Sequence, residues 1–127
     1  MKKRTLFSLA ARIKSFQYAV SGLRYALATE HNLRIHFLMT LAMVVTSLIV
    51  AVSTMEAIVL CIVTGLVWTA ELFNTAIEKI MDFISEKQQT EIKNIKDISA
   101  AAVLVAAITA FITGCIVFIP KLLKWLF

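Results

Sequence analysis

Residues 57–78 read AIVLCIVTGLVWTAELFNTAIE, an apolar run long enough to cross a membrane that is broken in its last third by Glu71, Asn74 and Glu78. Two further runs flank it: residues 37–55, FLMTLAMVVTSLIVAVSTM, and residues 98–120, ISAAAVLVAAITAFITGCIVFIP. Each is near the ~20 residues that a helix needs to cross a hydrocarbon core of about 30 Å. Composition agrees. Of 127 residues, 60% are hydrophobic and 17% charged, and the mean hydropathy is +0.85; a water-soluble domain of this size cannot hide so much apolar surface. The expected fold is all-α and integral to the membrane. It is one domain over 1–127, with a surface helix over 1–34 and membrane helices over 35–55, 57–83 and 97–120. The lipid bilayer is its expected environment, and no nucleic acid is expected as a partner.

The first 34 residues differ from the rest. Lys2, Lys3, Arg4, Arg12, Lys14, Arg24 and Arg34 face one acid, Glu30. Leu6, Leu9, Ile13, Phe16, Val20, Leu23 and Leu27 recur at steps of three and four. That spacing puts an apolar stripe on a basic helix, which suits a helix lying in the membrane surface. A signal peptide is the rival reading, but Arg12 and Lys14 cut its apolar core and no small-residue cleavage site follows.

Basic residues also orient the chain. The arm and the loop containing Lys79, Lys87, Lys93 and Lys96 carry most of them, against Lys121 and Lys124 elsewhere. The positive-inside rule therefore places the amino terminus and the 78–97 loop in the cytoplasm. Trp125, Tyr18 and Tyr25 suit interfacial anchors. Cys61 and Cys115 lie in apolar runs without ligand spacing and read as small core residues. His31 and His36 read as polar residues at the entry to the first span.

At 100° per residue, Glu71, Asn74, Thr75, Glu78 and Asp82 fall on one arc of a helix. Interhelical hydrogen bonding explains the amide and the hydroxyl. It does not explain the carboxylates, because charge at membrane depth costs at least about 2.5 kcal/mol and so marks a functional site. Counted from Glu56 at ~1.5 Å per residue, Glu71 lies about 22 Å in and Glu78 about 33 Å in. Glu30 and Asp97 reach the same membrane level. Lys96 and Asp97 are expected to open the third span, where free N–H groups favour anions; helix capping and snorkelling are the plainer reading. With Glu30 and Glu78 able to hold a hard cation, the set fits phosphate and Mg²⁺. The chain has neither a P-loop nor a dinucleotide-binding glycine motif, so side chains, metal and helix ends would have to build that site.

ELFNTAIE (71–78) followed by IKDISAAAVL, with EHNLRIH upstream and FIPK near the end, resembles the prokaryotic diacylglycerol kinase family, which includes the undecaprenol kinases. The resemblance implies a small kinase of the bacterial inner or plasma membrane, usually a homotrimer, with a surface helix and three spans per subunit. It implies transfer of phosphate from ATP, with Mg²⁺, to a lipid alcohol, and RIH and FIPK resemble the undecaprenol branch more than the diacylglycerol one. On the family pattern Glu71 would be the general base on the lipid hydroxyl, Asn74 would orient the reacting groups, and Glu30 and Glu78 would bind magnesium. Lys96 would hold the phosphates, Asp97 would support the site, and Asp82 would match an acid on the nucleotide side. Arg34 would approach the nucleotide, or else anchor at the interface by pairing with Glu30 at helical spacing. The chain departs from many relatives at Gln89, where they carry His, which bears on adenine contacts.

Ala102, Ala106, Ala110 and Gly114 form a small-residue ridge on the third span that lets another helix approach closely. Three spans are expected to enclose the carboxylate stripe poorly alone, so neighbouring subunits are expected to cover it. The competing reading is a small transporter or proton-pathway subunit with Glu71 as proton carrier.

Overall fold

The computed structural model describes residues 8–85 and 89–127. Four helices follow one another: α1 (Leu9–Thr29), α2 (His31–Ile49), α3 (Thr54–Ile84) and α4 (Thr90–Leu126). The expectations placed on Lys2, Lys3, Arg4, Leu6 and Lys87 lie outside the described residues. By length and composition α2, α3 and α4 can each cross a membrane.

The helix that carries the third span starts earlier than the expected residue 97. Gln89 is the N-cap of α4 and the polar turns before Ile98 are helical. Lys and Glu favour helix and no Gly or Pro intervenes, so the change in polarity marks where this helix leaves lipid, not where it begins. Lys96 and Asp97 consequently sit beyond the first-turn N–H groups, and the expected helix-end anion site at these two residues is absent. At ~1.5 Å per residue, the 31 residues of α3 and the 37 of α4 reach about 46 and 55 Å, well past a core of about 30 Å.

α3 and α4 form an antiparallel pair whose register is fixed along its length. Lys121 Nζ meets Glu56 at 3.0 Å at one end. Ser99 donates to Asn74 at 2.7 Å further along, and Lys96 Nζ meets Asp82 at 2.9 Å near the other end. Ser53 and Glu56 start α3 with reciprocal side-chain to backbone bonds, satisfying two donors that a helix start leaves free. α2 meets α3 through Trp68, whose indole N–H donates to Thr40 Oγ1 at 2.9 Å and whose ring packs edge-on against Phe37 at 6.3 Å.

The buried residues of α3 are Leu60, Val63, Val67, Glu71, Asn74 and Thr75. Their steps of three and four make one inward stripe, apolar at the Glu56 end and polar toward Glu78. α1 and α2 are separated by a single extended residue, Glu30, which ends one helix and begins the next. Of the arm's apolar residues, Leu9, Ile13, Phe16 and Leu23 are exposed, and in α1 only Ala26 is buried.

The Trp68–Thr40 bond ties α2 to α3, so it should contribute to stability measurably. In a double-mutant cycle of Trp68→Phe and Thr40→Val, the coupling read from denaturation in micelles should be about 0.5–1.5 kcal/mol. A coupling indistinguishable from zero would mean that the two helices do not depend on this contact.

Candidate active site

Glu71 is the centre of the polar cluster. It is 2% exposed, although it lies on a membrane-spanning helix. Asn32 from α2 hydrogen-bonds its carboxylate, and His36, Glu78 and Glu30 stand close enough to act on its charge. Asn74, one turn on, is 6% exposed and Thr75 7%. The single chain therefore already covers these three residues, contrary to the expectation that neighbouring subunits must do so. The reason is that α2 and α4 both pack on the inward stripe of α3 at this level. Glu78 remains half-buried and Asp82 exposed.

Asn74 joins two helices. Its Nδ2 donates to Glu78 Oε1 at 3.1 Å, and its Oδ1 accepts from the Ser99 hydroxyl at 2.7 Å. Sequence reading singled out Asn74 and Glu78 but not Ser99, Asn32 or Lys79, because their partners lie on other helices. A hydroxyl one turn after Lys96 in a run of alanines was the available signal for Ser99.

The remaining residues are placed around this core with partners of their own. Glu30 pairs with Lys79 Nζ at 2.8 Å, and the same ammonium lies 5.3 Å from the centre of the Tyr25 ring. Lys96 holds Asp82 and Asp97 holds Lys93. Arg34 donates to the Leu27 and Ala28 carbonyls at 3.1 and 3.0 Å. Its guanidinium thus satisfies the open carbonyl end of α1, and Glu30 takes Lys79 instead of Arg34 as its ion-pair partner. Gln89 caps α4 without a side-chain bond.

Among the described residues no three Asp, Glu, His or Cys side chains are already gathered as a metal site. Glu30 and Glu78 nonetheless offer the hard oxygen donors that Mg²⁺ takes, and Mg²⁺ usually completes its shell with water and phosphate oxygens. The donor chemistry fits, provided that Glu30 leaves Lys79. A cleft of about 630 Å³ between α2, α3 and α4 adjoins the cluster at His36 and is lined beyond it by Met39, Met43, Val63, Phe111 and Phe118.

Donation from Lys79, with help from the Thr29 hydroxyl, holds the Glu30 carboxyl below its ordinary value. A folded-state value below the unfolded one, about 4.3, means that the pair stabilises the hinge above that pH. The contribution is lost as pH falls through the folded value. In metal-free protein, a spin label on the exposed side of α1 should therefore gain mobility on acidification below about pH 4. Lys79→Met should be mobile at neutral pH and lack that step; an unchanged acid transition in this variant would refute the attachment.

Comparison with known proteins gives a consistent outcome. The profile of the family described as "Prokaryotic diacylglycerol kinase" matches residues 17–118. A diacylglycerol kinase of Synechocystis is 38% identical over 87% of this chain, which spans 63% of that relative's length. An undecaprenol kinase of Bacillus subtilis is 35% identical over 86% of this chain and 89% of its own. A diacylglycerol kinase of Escherichia coli is 35% identical over 82% of this chain and 85% of its own.

Proposed function

This chain belongs to the prokaryotic diacylglycerol kinase family, and we propose that it is a multi-pass bacterial membrane kinase that phosphorylates a lipid alcohol. The names of the relatives support a membrane lipid kinase and lend nothing to the transporter alternative. ATP is the phosphoryl donor and Mg²⁺ the cofactor. Undecaprenol is placed ahead of diacylglycerol on RIH and FIPK. The observation that carries the reading is a carboxylate, Glu71, buried in a membrane span with Glu78, Glu30 and Asn74 around it.

Glu71 accepts the proton of the lipid hydroxyl while the new oxygen–phosphorus bond forms, and the bridging oxygen leaves with ADP. The base need not be strong, because phosphoryl transfer depends mainly on positioning and charge neutralisation. Asn74 fixes Glu78 through its amide. Mg²⁺, held by Glu78 and Glu30, would neutralise charge on the transferring group. Lys96 turns from Asp82 toward the phosphates, with Asp82 and Asp97 lining that side. Arg34 holds the hinge, and reaches nucleotide only by giving up the α1 carbonyls. The apolar cleft beside His36 suits the hydrocarbon of the substrate.

The arm lies on the cytoplasmic leaflet with its exposed apolar residues in lipid, and the amino terminus is cytoplasmic. The protein is a homotrimer. What supports this is the Ala102 and Ala106 end of the ridge, since Ala110 and Gly114 border the cleft.

Two variants test the division of labour. Glu71→Gln should keep MgATP binding and lose turnover, by at least about a hundredfold for a general base. Glu78→Gln should weaken MgATP binding, and added Mg²⁺ should restore part of its activity. Normal turnover by Glu71→Gln, or identical Mg²⁺ responses, would defeat these roles. Products from equal mole fractions of undecaprenol and diacylglycerol, separated by thin-layer chromatography, decide the substrate; phosphatidic acid alone would remove undecaprenol.

A further inference from the structure

We propose that Ser99 is a positioning residue for the transfer site, acting through Asn74 to fix the donor that Glu78 receives; the inference rests on the kinase reading above. Ser99 is 7% exposed and belongs to α4, whereas Asn74 and Glu78 belong to α3. Its hydroxyl lies 2.7 Å from Asn74 Oδ1 and 2.9 Å from the Lys96 carbonyl oxygen. A serine hydroxyl carries one proton, and both neighbours are acceptors. Only one of them can be served.

Glu78 decides which. Its Oε1 accepts from Asn74 Nδ2 at 3.1 Å, so the amide turns its NH₂ toward Glu78. The amide oxygen then points into the interface with α4, where the Ser99 proton is available to meet it. The Lys96 carbonyl is served along the helix ladder and can spare that proton. The order of donors is thus fixed from Ser99 to Asn74 to Glu78, across two helices. Without the hydroxyl, the Asn74 oxygen is buried without a donor, and the amide gains by rotating out of the interface to reach one, which loosens its bond to Glu78. Because Ser99 sits one turn after Lys96 on α4, the bond also holds the Lys96 turn at a set distance from Glu78.

The test compares Ser99→Ala, Ser99→Cys and Ser99→Thr in micelles. Alanine favours helix, cysteine keeps the volume with a weak donor, and threonine keeps the hydroxyl. Protein labelled with ¹⁵N at asparagine reports hydrogen exchange of the Asn74 side-chain amide without any turnover. We expect slow exchange in the parent and in Ser99→Thr, and fast exchange in the other two. The Mg²⁺ concentration for half-maximal activity should rise between about twofold and about tenfold in Ser99→Ala and Ser99→Cys, the span of one net hydrogen bond. The KM for lipid should not move, and Ser99→Thr should match the parent. Unchanged amide exchange and Mg²⁺ response in Ser99→Ala would overturn the proposal. So would equal impairment in all three variants, which would make Ser99 a matter of volume. If the parent phosphorylates no lipid alcohol, the kinase reading fails, and amide exchange alone still decides the Ser99 network.

Discussion

A carboxylate buried on a membrane-spanning helix is the constraint around which the chain is arranged. Glu71 cannot face lipid without a large penalty, so α3 must turn it toward other helices, and those helices must bring polar groups to meet it. α2 supplies Asn32 and His36. α4 supplies Ser99 for the neighbouring amide. The stripe that carries Glu71 is continuous with Leu60, Val63 and Val67; the packing that seals the apolar half therefore also sets the rotation of the polar half. Helix rotation, which elsewhere in a bundle tolerates error, is here fixed by charge.

The second constraint is the length of the paired helices. α3 and α4 overrun the hydrocarbon core, so their polar turns continue as helix into water and keep Asp82 and Lys96 in register with Asn74 and Ser99. Glu30 approaches from a third direction. As the single residue between α1 and α2 it has little freedom to wander, and Lys79, seated between its carboxylate and the Tyr25 ring, holds it to α3. Bound this way, Glu30 has a cation partner of its own, which removes part of the cost of gathering several carboxylates together.

Much of this was legible in the sequence. Hydropathy and length are one-dimensional properties, and they located three spans. The helical period grouped Glu71, Asn74, Thr75, Glu78 and Asp82 on one face. The limits were equally physical. Polarity marked where α4 leaves lipid, and was taken for its first residue, which misplaced Lys96 and Asp97 at a helix start. Arg34 lay at helical spacing from Glu30, yet the open carbonyls of α1 are nearer and take the guanidinium. The periodicity leaves out Ser99, and reads Lys79 only as a charge that orients the chain, because it describes one helix, whereas their roles depend on the register between two. The expectation that one chain covers the stripe poorly fails at Glu71, Asn74 and Thr75 for the same reason, since their burial depends on how closely α2 and α4 approach, while Asp82 stays exposed.

The distribution of these groups also bears on what the buried carboxylate can do. A proton pathway needs ionisable or hydrogen-bonded stations across the whole membrane, at separations that a proton or water can bridge. The inward stripe of α3 offers Glu71 and its neighbours at one end. From Val67 back to Leu60, about 10 Å along the helix, its buried residues are hydrocarbon. Glu56, beyond them, is engaged by Lys121. The cleft on that side carries His36 at the Glu71 end and beyond it scattered hydroxyls, one thiol and one indole, with Trp68 and Thr40 satisfying each other, and no second carboxylate. The polar partners of the stripe, Glu71, Asn74 and Glu78, thus gather at one end of it. A buried carboxylate with its polar partners at one end of the stripe and an apolar cleft beside it suits the role proposed for it, on a molecule that is half lipid and half headgroup.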